Sequence, residues 1–242
     1  MPSSGSLRPL RSALIAAVAA VTVLSAGCTG TSNAAAPPPA TPSPATTPGP
    51  VAAARAPGPD RIAGVLDRTV PPSGTGQFDV VPGGSPAPAR GRVTAVRVEV
   101  EKGLTIDGQA FAAFALATLN DPRSWGRDGN VGFSRTAGDA PIHIKLATPA
   151  TTDRLCGSLG TEGRLSCRQG PDAILNLARW VTGIPDYRGD LTGYRHYLVN
   201  HEIGHVLGHH HVLCPGQGVP APVMQQQTLG LDGCRPNPWP YP

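Results

Sequence analysis

The chain has 242 residues, of which 40% are hydrophobic and 15% are charged, and it contains 30 glycines and 28 prolines. No apolar run reaches the roughly 18–20 residues that a membrane-spanning helix needs, so we expect no integral membrane protein. The formal net charge of +4, less two for the arginines Arg8 and Arg11 of a signal peptide, leaves +2, which is too small to indicate nucleic-acid binding.

Residues 1–27 have the pattern of a signal peptide, with an apolar stretch at 13–24 that ends in small residues before Cys28. Such an ending resembles a bacterial lipobox, in which Cys28 would be lipidated and become the mature N-terminus. Ser25 stands where leucine is commonest, so secretion by ordinary signal peptidase stays open, and so does a Cys28 that is fortuitous. We expect an exported protein, either a cell-membrane lipoprotein on the extracytoplasmic face or a secreted one.

Residues 28–59 are predicted to be a disordered linker, because nine prolines lie among residues that are nearly all Ala, Thr, Ser and Gly. The segment is either a spacer that holds a domain away from a membrane or a leader without a role. The folded domain is therefore predicted to span 60–242, which is long enough for one hydrophobic core.

Four cysteines remain in that domain: Cys156, Cys167, Cys214 and Cys234. An even number in an exported domain predicts two disulfides, with three possible pairings. We favour Cys156–Cys167 and Cys214–Cys234, because each pair closes a local loop. None of the four has the spacing of a zinc finger.

The first predicted elements of the domain are a strand and a helix. Apolar and polar residues alternate from 93 to 100, as in a half-buried strand. Asp107 can cap a helix that runs to about Asn120, where Asp121-Pro122 ends it.

Three short β-like runs follow, at 131–134, 142–146 and 173–180. Asp190 can then cap a second helix over 191–207, and the rest of the chain has turn residues without periodicity. This order predicts an α+β fold, in which a sheet carries two helices packed on one side.

The second helix contains the chemistry-bearing motif of the chain, His201-Glu202-Ile203-Gly204-His205. Residues four apart on a helix differ by about 40°, so His201 and His205 project from one face and can share a metal ion. Imidazole is a good ligand for Zn²⁺. Glu202 lies about 100° from His201, beside the metal, where a base acting on water should be.

The third ligand is predicted to be His211. On a continued helix it would lie about 240° from His205 and face away. Gly208 permits a left-handed conformation that ends the helix and turns the chain back, so His211 can reach the metal from another direction. Three histidines leave the fourth tetrahedral position open for water, as a catalytic zinc site requires. His209 and His210 fit this spacing less well, and His196 lies off the ligand face.

The extended pattern, completed by Gly208 and His211, resembles that of the metzincin zinc peptidases, in which a Met-turn follows the motif. Met224, thirteen residues after His211, is the candidate for the Met-turn. Some metzincin groups carry a tyrosine two residues after this Met, but here that position is Gln226. The resemblance implies a zincin-like fold: a twisted mixed sheet, a backing helix, an active-site helix and an irregular C-terminal subdomain.

The resemblance also implies a sheet-edge strand that pairs with extended substrate. The candidate is Ile142 to Leu146, although an ordinary exposed face fits this strand equally well.

The stretch from Ile62 to Pro242 also looks like an uncharacterised family of exported actinobacterial proteins. Its marks, besides the histidine motif, are Gly64-Val65-Leu66-Asp67, Thr118 to Trp125, and Gly230 to Trp239. This resemblance implies a metzincin-like domain without an established substrate.

We therefore expect a zinc-dependent endopeptidase that acts on a peptide or protein substrate outside the cytoplasm, with Glu202 as general base and Zn²⁺ held by the three histidines. One alternative is a non-catalytic, zinc-containing binding protein of the cell envelope. Another is a hydrolase of a non-protein amide, such as a peptidoglycan crosslink. We expect no nucleic-acid partner, membrane contact through a lipid anchor at most, and a monomer by default.

Overall fold

A computed structural model of the chain describes residues 60–88, 91–127, 129 and 131–242. The predicted signal peptide, Cys28 and the linker lie outside the described residues, so they stay predictions. The strands are β1 (Phe78–Val80), β2 (Arg92–Glu101), β3 (Val131–Arg135), β4 (Ile142–Ala147), β5 (Cys167–Gln169) and β6 (Asp172–Asn176). The α-helices are α1 (Gly108–Leu119), α2 (Pro149–Cys156), α3 (Leu177–Thr182) and α4 (Leu191–Val206).

The six strands form one open, mixed sheet with the order β1-β2-β4-β6-β5, and β3 also pairs with β2. The pairs β2–β3, β2–β4 and β4–β6 are parallel, whereas β1 and β5 are antiparallel to their neighbours. The predicted α+β class is thus confirmed. The choice of Ile142 to Leu146 as the sheet-edge strand was wrong, because β4 is paired on both sides, with β2 and with β6.

Side chains that alternate along the strands divide the core between the two faces of the sheet. Ile144 of β4 and Leu175 of β6 pack with α1 and α4 in the main core. Ala147 and Ile174 face the other way and pack against the Cys156–Cys167 pair at the end of α2. The two predicted helices therefore share one face, while α2, which was not predicted from the sequence, covers the other.

Both predicted helix caps are present. The Asp107 carboxylate accepts hydrogen bonds from the backbone N–H groups of Gln109 and Ala110, at 3.0 and 3.1 Å. The Asp190 carboxylate accepts one from Gly193 at 2.8 Å. These bonds satisfy backbone donors that have no partner within the first turn of a helix, and they fix where α1 and α4 begin.

The β-like run at 173–180 is only half a strand. The side chain of Asn176 accepts a hydrogen bond from the Ala178 N–H at 2.9 Å and so caps α3, which begins at Leu177. The prediction was wrong beyond Asn176, because this cap outweighs the β propensity of the following residues. The helical turn places Trp180 in the core, where its indole N–H donates to the Ala63 carbonyl at 3.0 Å.

The structure contains two disulfides, Cys156–Cys167 and Cys214–Cys234, so the predicted pairing is confirmed. Such bonds indicate an oxidising, extracytoplasmic compartment. Within the described ranges, no helix has the length and apolar character needed to cross a membrane.

A buried ion pair joins the start of the domain to α4. The guanidinium of Arg195, 1% exposed, is paired with the carboxylate of Asp60 and donates through Nε to the Trp180 carbonyl at 2.7 Å. A buried charge that loses its partner is costly. The segment around Asp60 therefore belongs to the folded domain, and it supports the helix that carries His201.

We expect Asp60→Asn to lower the free energy of unfolding by about 3 kcal/mol, because the Arg195 charge stays buried without a counter-charge. Urea unfolding at pH 7, followed by tryptophan fluorescence, measures this loss. Asp67→Asn is the matched control, because Asp67 is exposed and, among the described residues, its hydrogen bonds are to the neighbouring Thr69. Equal stability of the two variants would contradict the role of the ion pair.

Glu101 ties the end of β2 to the start of α2. Its carboxylate accepts hydrogen bonds from the N–H groups of Gly76 and Thr148 and from the Thr151 hydroxyl, each at 2.7 Å. Burial raises the pKa of Glu101, but these hydrogen bonds outweigh it and hold the pKa below its usual value.

Because the pKa of Glu101 is lower in the folded state, its carboxylate stabilises the protein at pH values above the unfolded-state pKa of 4.5. This stabilisation is lost as the pH falls through the folded-state pKa. We expect Glu101→Gln to cost about 2 kcal/mol at pH 7. The difference from wild type should shrink steadily below pH 4.5. Urea unfolding from pH 3 to 7, in about half-unit steps, tests this; a difference that grew towards acid pH would refute it.

Candidate metal centre

The three predicted histidine ligands lie together at the end of α4. His205 Nε2 is 3.2 Å from His201 Nε2 and 3.0 Å from His211 Nε2. His201 is buried, His205 is half-buried and His211 is exposed, so the cluster runs from the core to the surface. Nitrogen ligands about 2.0–2.1 Å from a tetrahedral zinc ion lie about 3.3 Å from one another, close to the separations found here.

A tight turn delivers His211 to the cluster. The N–H of Gly208 donates to the His205 carbonyl at 3.1 Å, and the N–H of His209 donates to the Gly204 carbonyl at 2.9 Å. This pair of bonds is the Schellman pattern of a helix C-terminus. Gly208 has a φ of 95°, a left-handed conformation that glycine adopts at little cost. The turn predicted from Gly208 is confirmed.

Backbone carbonyls fix the tautomers of two of these rings. His201 Nδ1 is 2.8 Å from the Val223 carbonyl oxygen, and His205 Nδ1 is 2.9 Å from the His209 carbonyl oxygen. A carbonyl oxygen only accepts, so each Nδ1 must carry the proton. In a neutral ring Nε2 is then a bare acceptor, and it faces other ring nitrogens.

The ionisation of the rings agrees with this arrangement. Burial lowers the pKa of His201 to about 3, with further lowering by His205 and His211. Burial also lowers the pKa values of His205 and His211. Neutral imidazoles are the form that binds metal. His201 and His205 thus present two bare acceptor nitrogens 3.2 Å apart, with His211 Nε2 beside them, and a cation satisfies such a set, so the donor set fits zinc.

Glu202 is the carboxylate next to this cluster. It is 4% exposed, and its Oε2 atom has no hydrogen-bond partner among the described residues. Burial raises its pKa to about 8. A neighbouring cation acts in the opposite direction and favours the ionised carboxylate. An unpartnered buried oxygen is costly in a purely structural role.

The cleft over the histidines has a volume of about 360 Å³. Its floor is formed by His201, Glu202 and His205 from α4, and β5 lies along one wall. The other wall comes from Gln226, Thr228 and Leu229, after Met224. β5 pairs only with β6 in the described part of the sheet, so it is the sheet-edge strand at this cleft.

Met224 packs against α4 at Gly204, and its role as a Met-turn stays a prediction. A Cβ added to Gly204 would collide with the Met224 sulfur and would come within 2.7 Å of Trp125 Cζ2. The neighbouring Val223 carbonyl binds His201, and the Met224 carbonyl accepts a hydrogen bond from the Val212 N–H at 3.2 Å. This segment thus supports both the helix and the stretch that follows His211.

The other histidines of this region lie outside the cluster. His196 stacks on Phe114 and its Nδ1 is 2.8 Å from the Thr118 hydroxyl, as expected for a packing residue. His209 stacks on Trp125 at a ring-centroid distance of 4.3 Å, and its backbone carbonyl accepts the hydrogen bond from His205 Nδ1. His210 is exposed.

Several residues that position the centre carried no prediction from the sequence. The Trp125 indole N–H donates to the Asn200 carbonyl at 2.9 Å, and the Ser124 hydroxyl donates to the Asn200 side chain at 2.7 Å. The Asn200 amide in turn donates to the Pro238 carbonyl at 2.9 Å. Ser124, Trp125 and Pro238 lie inside the two segments quoted as family marks, which was the available signal.

Comparison with known proteins gives a family for most of the chain. The family described as "Protein of unknown function (DUF3152)" matches residues 67–242. The chain belongs to this family. Neither the curated proteins nor the solved structures that were compared gave a significant match. The functional conclusions for this DUF3152 member therefore depend on the geometry of its site.

We expect Gly204→Ala to destabilise the protein by about 1–3 kcal/mol and to weaken zinc retention, because the added methyl group displaces Met224 and Trp125. Helix propensity alone would predict a gain of about 1 kcal/mol, so the sign of the change is decisive. Thermal unfolding with and without zinc measures both effects. Met224→Leu, a change that nearly conserves volume, is the control and should behave almost as wild type.

Proposed function

We propose that this protein is a zinc-dependent endopeptidase with a zincin-like fold of the metzincin type. The observation that carries the proposal is the set of facing Nε2 atoms of His201, His205 and His211 beside the unpartnered carboxylate oxygen of Glu202. When bound by the three histidines, zinc would act as a Lewis acid that activates water and polarises a carbonyl group.

In this proposal Glu202 moves the proton. Its carboxylate accepts a proton from the attacking water and then delivers it to the leaving nitrogen of the peptide bond. The carboxylate is fixed on the buried side of α4 and opens into the cleft, so it needs no rearrangement to serve both steps. His201 and His205, held by backbone carbonyls, keep their Nε2 atoms directed at the same point.

The substrate is proposed to be an extended peptide that lies along β5. This strand has an unpaired side in the described sheet and forms one wall of the cleft. A peptide can add to such an edge through backbone hydrogen bonds while its side chains enter neighbouring pockets. The role first assigned to Ile142 to Leu146 therefore passes to β5.

The two disulfides fit an enzyme that works outside the cytoplasm. Lipidation of Cys28 would keep it at the extracytoplasmic face of the membrane, whereas cleavage without lipidation would release it. The linker at 28–59 would then space the domain from its anchor.

We expect Glu202→Gln to retain zinc and stability but to lose about 10²–10⁴-fold in kcat/KM on a cleavable peptide, because the proton acceptor is gone. His210→Gln is the matched control and should keep both zinc and activity, because His210 is exposed and outside the cluster. His211→Ala should lose zinc. Zinc content by elemental analysis and hydrolysis of a fluorogenic peptide library are the two measurements.

Equal hydrolysis by wild type and Glu202→Gln would contradict this mechanism. A wild-type protein that binds zinc stoichiometrically yet cleaves no peptide would favour the alternatives. Release of products from peptidoglycan fragments would then indicate a non-peptide or crosslink hydrolase, and the absence of any turnover would indicate a binding protein.

A further inference from the structure

Arg168, in the middle of β5, faces the metal side of the sheet. Its neighbour Cys167 is buried and bonded to Cys156, and Gln169 Nε2 donates to the Cys156 carbonyl at 3.4 Å. Successive side chains of a strand point to opposite faces. Arg168 therefore projects away from α2, towards α4, and it lines the cleft together with His205.

The guanidinium of Arg168 is exposed and has no acidic partner among the described residues. The nearby Arg164 is different, because it forms an ion pair with Glu162 at 3.1 Å. Arg168 is also near enough to the metal ligands for its charge to contribute, after burial, to the lowered pKa of His205. It thus offers free hydrogen-bond donors beside the point where the reaction would occur.

The remainder of the cleft lining is uncharged apart from Glu202 and the three histidines. Leu159 and Leu229 are 56% and 58% exposed and supply apolar surface to the cleft. A substrate therefore meets one permanent positive charge, that of Arg168, in a lining whose other ionisable groups are Glu202 and the three histidines.

We propose that Arg168 is a specificity residue, which binds a carboxylate of the substrate close to the scissile bond. The inference depends on the proposed peptidase function and adds a substrate class to it: peptides with an acidic side chain, or a free C-terminal carboxylate, next to the cleaved bond. A guanidinium presents a planar fork of N–H donors that matches the two oxygens of a carboxylate.

The first test compares matched peptides in a library of amidated substrates, with Glu or Gln at each position around the cleaved bond. A second arm compares each free C-terminal acid with its amide, which separates a side-chain carboxylate from a terminal one. We expect wild type to prefer one carboxylate position by about tenfold in kcat/KM. We expect the preference to weaken at high salt, because the pair is exposed.

Arg168→Ala should abolish this preference, so that Glu and Gln peptides are cleaved with equal kcat/KM, and Arg168→Glu should reverse it in favour of the Gln peptides. Arg164→Ala is the control, since Arg164 lies outside the cleft, and it should keep the wild-type preference. A binding measurement tests the same preference without turnover. Zinc-loaded Glu202→Gln should bind the fluorescein-labelled Glu peptide more tightly than the Gln peptide, and adding Arg168→Ala should equalise the two affinities.

Cleavage of the library without any Glu or acid preference would overturn the role of Arg168 and leave the peptidase proposal intact. A preference that survives in Arg168→Ala would also overturn it. Absence of cleavage of every peptide by the zinc-loaded wild type would instead overturn the proposed function.

Discussion

Three imidazole nitrogens that face one another are the constraint around which this domain is organised. His201 and His205 are each held by a carbonyl that takes the Nδ1 proton, so their Nε2 atoms present lone pairs to each other and to His211. Acceptors at 3.0–3.2 Å need a proton or a cation between them. Between His201 and His205 both protons are held by the carbonyls, so we infer that a cation lies between these two nitrogens.

The fold supports that constraint from several sides. Arg195 and Asp60 join α4 to the start of the domain, and Trp125 and Asn200 join it to the segments before β3 and at the C-terminus. Met224 packs against Gly204 on the underside. α4 is consequently buried along most of its length, which keeps two ring orientations fixed without bound metal. The same burial also encloses Glu202 and raises the pKa of its carboxyl group.

The centre could be predicted from the sequence because it depends on local spacing. Two histidines four apart on a capped helix, and Gly208 three residues before His211, determine most of its geometry. The disulfide pairs followed from short loops in the same way.

The features that could not be predicted depend on long-range pairing. β5 has three residues and no periodicity of its own, so neither its edge position nor the place of Arg168 was visible. β4 alternates as an edge strand would, yet it lies between two strands. The Val223 carbonyl carries no side-chain signal at all.

The most direct test of the centre is X-ray absorption at the zinc edge on protein loaded with one equivalent of zinc. The account predicts three imidazole nitrogens and one further light donor from outside the protein; a site with four protein ligands, or failure to retain one zinc per chain, would contradict it.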